Sequence, residues 1–104
     1  MTSEAIASWL MSDQGYPRER AAALAGKILN CASFIQAGFE QWWQTKQLPE
    51  LEVEGVTLKL LIEEHNMKPV AAFLTLDWLL RDPEEAKKFL HTGYDAVVFP
   101  PQEN

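Results

Sequence analysis

The sequence predicts an all-α domain, a compact bundle of four or five helices with at most a minor two-stranded β-ribbon. Three observations carry that prediction. From Leu24 the apolar positions recur as Leu24, Ile28, Cys31, Ile35, Gly38 and Trp42, alternating steps of four and three that keep all of them on one helical face. The stretch "PVAAFLTLDWLL", residues 69–80, is apolar on every side except at Thr75 and Asp77, the pattern of a helix packed all round. In "DPEEAKKFL", Asp82, Pro83 and Glu85 stand as a cap, a first-position proline and the acid of a capping box.

The elements follow in order. Ser3 is placed to cap a first helix with Glu4 in its opening turn and Ile6, Trp9 and Leu10 on its apolar side, ending before Gly15. Pro17 suits the first position of a second helix, where its missing N–H costs nothing. The periodicity predicts that this helix runs from about Pro17 to Thr45. Gly26 and Gly38 are its weak points, each costing about 1 kcal/mol against alanine. A break between Asn30 and Ser33 or at Gly38 is the alternative, unless the glycines admit a close neighbour.

Pro49 stops the helical signal, and Glu50, Glu52 and Glu54 alternate with Leu51 and Val53. This reads as an exposed acidic loop over residues 47–56, or as a short strand pairing with residues 94–99. Thr57 then caps a helix carrying Leu58, Leu61, Ile62 and His65, stopped near Asn66, a residue that tolerates left-handed backbone. Pro69 opens the central helix to about Leu80, and Asp82 caps the last one, with Glu84 positioned to pair with Lys88. Residues 1–99 are expected to form one domain, and Pro100 and Pro101 begin a disordered tail over 100–104.

A chain of 104 residues is one domain by length and buries roughly two thirds of its extended surface, enough for a single core. Acids and bases balance up to Gln47, so the whole net charge of −6 lies beyond it. Such a balance repels phosphate backbones, and nucleic acid is not an expected partner. Thr57 to Leu80 has helix–turn–helix spacing, but a recognition helix presents Arg, Lys, Asn or Gln to base edges and this one presents almost none. Apolar runs are far short of the ~20 residues that span a bilayer, so no membrane contact is expected. One cysteine and an acid in place of a basic leader suggest the cytoplasm.

No phosphate loop, metalloprotease motif or paired-cysteine site occurs, and no cofactor or metal is expected. Cys31 falls on the inward face between Ile28 and Ile35, where a thiol behaves as a small hydrophobe. His65 ends a helix, where its cation suits the dipole, and His91 follows the last one. Asp77 is the sharper case: a carboxylate on an apolar helix needs a partner, and Arg81 is four residues on, with Lys68 and Lys59 as other candidates.

Two functional classes remain. The first is a non-enzymatic interaction module, possibly a homodimer, acting through an aromatic helical surface. Trp42 and Trp43 lie 100° apart and are hard to bury together, and Phe34, with Leu29 and Ala37, falls outside the inward face, so the expected contact residues are Phe34 and one of the candidates Trp42 and Trp43. The second is a small-molecule binder or enzyme whose interhelical pocket holds Asp77 and His65.

Overall fold

A computed structural model describes residues 1–88 and residue 90. The fold is all-α with a two-stranded ribbon, in the order α1 (Ser3–Ser12), α2 (Arg18–Leu29), α3 (Ser33–Thr45), β1 (Glu52–Val53), β2 (Val56–Thr57), α4 (Leu58–Glu63), α5 (Pro69–Arg81) and α6 (Pro83–Lys88). That is six helices among the described residues, against an expectation of four or five. The added element comes from the long helix, which breaks into α2 and α3 at residues 30–32.

The break is the alternative the sequence left open between Asn30 and Ser33. Unbroken, the helix would be roughly 42 Å long at 1.5 Å per residue, longer than a small domain is wide. Broken, it lets both halves lie against α5. Ala32 turns the chain with extended backbone (φ −57°, ψ 151°). The freed polar groups find partners: the Cys31 N–H bonds the Ile28 carbonyl at 3.1 Å, and the Gln36 side chain reaches back to the carbonyls of Leu29 (3.1 Å) and Cys31 (2.8 Å). The inward row survives the break, for Leu24, Ile28, Cys31, Ile35, Gly38 and Trp42 are all buried.

Gly38 does admit a close neighbour, though a loop and not a helix. A Cβ there would stand 2.7 Å from a Leu51 methyl and 3.3 Å from Pro49 Cγ, so the glycine lets the chain cross α3 after Pro49. Nothing approaches Gly26 in the same way.

The ribbon is local. β1 pairs antiparallel with β2, Glu52 opposite Thr57 and Val53 opposite Val56. Both residues between them have positive φ, Glu54 at 53° and Gly55 at 77°, as a type I′ hairpin requires. A strand over 94–99 lies outside the described residues, as does the expected tail. The segment is exposed and acidic at Glu50, Glu52 and Glu54, while Val53 and Val56 point into the core.

Caps fall close to where they were expected. Thr2, not Ser3, caps α1, its hydroxyl accepting the Ala5 N–H at 3.2 Å. Pro17 is the N-cap of α2, one residue before the helix. Thr57 accepts the Leu60 N–H at 3.0 Å, Asn66 has φ 56°, and Asp82 accepts the Glu85 N–H at 3.3 Å. Lys88 pairs with Glu85 at 3.4 Å and not with Glu84.

α5 is the hub. It touches α2, α3, α4, α6 and β1, and from Val70 to Asp77 every residue is buried. Its Thr75 hydroxyl is satisfied within the helix by the Ala71 carbonyl at 2.8 Å. α1 packs on α2.

Candidate functional site

Asp77 is 2 % exposed, and both of its oxygens are engaged. One accepts the backbone N–H of Ala32 at 2.9 Å; the other meets Arg81 Nε at 3.0 Å, the pair expected from the four-residue spacing. Ala32 is the N-cap of α3 and has no side-chain cap of its own, so a carboxylate from α5 supplies negative charge where the α3 dipole is positive. Lys68 is occupied elsewhere, 4.8 Å from the centre of the Tyr16 ring. Asp77 is thus a tertiary clamp between α5 and the α2–α3 corner.

Cys31 lies in the same corner, its Sγ bonded to the Lys27 carbonyl at 3.3 Å. Burial pushes the thiol up to about 12, the Asp77 carboxylate adds to the rise, and Arg81 opposes it. The thiol therefore stays protonated and unreactive at neutral pH. His65 is half-buried just beyond α4. Among the described residues no group of three or more His, Cys, Asp or Glu side chains is placed to hold a metal ion, and no helix is long and apolar enough to cross a membrane.

The tryptophans divide. Trp42 is buried in an aromatic cluster, edge-on to Trp9 at 4.9 Å between ring centres, to Phe39 at 5.8 Å, and tilted against Phe73 at 5.8 Å. Trp43 is half-buried and leans on Trp9 at 5.8 Å. The α3 helix is covered more widely than its residues suggested because α1 brings Trp9 against it. Lys46, in left-handed backbone at the end of α3, bonds Asp13 at 2.9 Å and closes the edge of the cluster. That bond holds the Asp13 carboxyl below its ordinary value.

Phe34 has no such cover. It is 44 % exposed, and Leu80 beside it is 46 % exposed. The two line an open cleft of about 270 Å³ with Val53, Leu79 and Pro83, and Glu52 and Glu54 stand at its edge. A larger groove of about 710 Å³ lies between residues 48–52 and α4, and a hollow of about 280 Å³ is lined by Met1, Leu29 and Ala37 among others. Neither Asp77 nor His65 lines any of the three.

Leu80 and the hairpin were missed as site elements. Leu80 reads as core because it stands in a largely apolar helix, yet it is 46 % exposed. No family model, no curated protein and no solved structure matches this chain.

Proposed function

We propose that this chain is a small non-enzymatic interaction module of the cytoplasm, and that it binds a partner protein through the apolar cleft at Phe34 and Leu80. The observation that carries this reading is the juxtaposition of two large apolar side chains, each close to half exposed, in one concave patch with charged edges. Isolated exposed hydrophobics are ordinary; adjacent ones around a cleft mark contact surfaces. Burying the Phe34 ring in such a contact is worth about 2 kcal/mol. Trp43 is half-buried against Trp9 and Trp42 is buried, so Phe34 offers the most open of the three rings. The groups of greatest chemical potential, Asp77 and Cys31, are both engaged in holding the α2–α3 corner, which favours a binding role over a catalytic one.

The test is a photoreactive phenylalanine analogue in place of Phe34, activated in cells. The expected outcome is a discrete adduct, lost when Leu80→Asp is added and absent when the analogue replaces exposed Ala23 on α2. An adduct of twice the chain's 11.8 kDa would identify a homodimer. No discrete adduct from position 34 would remove the reading.

A further inference from the structure

The groove beside the hairpin names the kind of partner. Leu48, 41 % exposed, and the half-buried Leu51 and Ile62 give it an apolar lining, and Glu50, Glu52 and Glu63 edge it against a single base, Lys59. Glu52 lines both this groove and the Phe34–Leu80 cleft, and the cleft adds Glu54. The groove itself is a strip of apolar side chains from Leu48 to Ile62 bordered by carboxylates, with Glu52 shared with the cleft.

We infer that this strip is a docking groove for a basic amphipathic helix of a partner protein, an inference that rests on the Phe34–Leu80 face being the contact surface. A helix with apolar residues at i, i+3, i+4 and i+7 lays that stripe into a groove of this kind, and lysines or arginines on its flanks meet the glutamates. The same charges disfavour the other occupants. A second copy meeting the strip through a two-fold axis brings its own glutamates against these. Phosphate backbones and anionic lipid surfaces are repelled by them.

The experiment uses the full chain and a fluorescent 18-residue peptide with leucines at helical spacing and lysines elsewhere, read by anisotropy, beside a peptide with glutamates in place of the lysines. The lysine peptide is expected to bind and the glutamate peptide not. Glu52→Lys with Glu63→Lys should weaken binding roughly 10-fold or more, and Leu48→Ser should weaken it as well. Glu4→Lys with Glu19→Lys, the same charge change at exposed sites on α1 and α2, should alter it less than about 2-fold. Equal weakening by both charge-reversal pairs would reduce the effect to net-charge attraction and overturn the inference. So would equal binding of the glutamate peptide, or self-association of the chain alone that Leu48→Ser relieves. If the adduct from position 34 forms while the lysine peptide does not bind, this inference fails and the proposed function stands; if the peptide binds through the strip but no adduct forms, the proposed function is what fails.

Discussion

Asp77 holds the N-terminus of a helix it does not belong to. Its bond to Ala32 is part-buried and charge-assisted, whereas its partner Arg81 is 64 % exposed and solvated. Asp77→Ala is therefore expected to cost about 3 kcal/mol, from the orphaned Ala32 N–H and the lost clamp, and Arg81→Ala only about 1 kcal/mol. Urea denaturation checks the order; the reverse order would mean that the ion pair, and not the cap, holds the corner. Cys31 makes a separate prediction. Its thiol is raised from 9.0 to about 12, so the folded state favours the protonated form. The resulting stability is fully present below about pH 9 and is lost as pH rises towards 12, because the unfolded chain releases this proton first. Denaturation midpoints of wild type and Cys31→Ala should diverge by an amount that shrinks across that window.

Among the elements, the two helical glycines look alike in sequence and differ in their surroundings. Gly26 faces open space within α2, so Gly26→Ala should stabilise by about 0.5–1 kcal/mol through helix propensity and a less flexible unfolded chain. Gly38→Ala gains the same propensity but must displace the Leu51 methyl at 2.7 Å and press on Pro49. It is expected to lie at least about 1 kcal/mol below Gly26→Ala, and a thermal melt of the two variants reads the difference. If they melt together, the crossing after Pro49 is looser than its distances indicate. Periodicity placed Gly38 on the inward face but could not distinguish a helix neighbour from a loop neighbour, because that depends on where the chain goes after it leaves α3.

The whole molecule separates two aromatic residues that share a helix. Phe34 opens α3 at the surface, and Trp42, two turns on, is enclosed by Trp9, Phe39 and Phe73. Phe34→Asp should therefore leave helicity and denaturation midpoint nearly unchanged, within about 0.5 kcal/mol, while Trp42→Ala should cost about 3–5 kcal/mol. Circular dichroism with urea titration measures both. Comparable losses would place Phe34 in the core and withdraw it as a contact residue.

By itself the sequence determined the helical class, the central place of the helix from Pro69, the buried row from Leu24 to Trp42 and the Asp77–Arg81 spacing. Each of these depends on residues a few positions apart, within reach of helical geometry. Caps at Thr57 and Asp82 were legible for the same reason, and the one-residue shift from Ser3 to Thr2 shows how little local sequence separates adjacent capping hydroxyls. Tertiary structure alone decided that the long helix folds at residues 30–32, that the ribbon closes on itself through Glu54 and Gly55, that Asp77 caps α3, and that Leu80 comes to the surface beside Phe34. The ribbon closes over a few residues, but the other three depend on positions tens of residues apart: Ala32 bonds Asp77, and Phe34 lines one cleft with Leu80. Periodicity gives each helix an inward face, but which parts of that face stay uncovered is settled only when the helices pack.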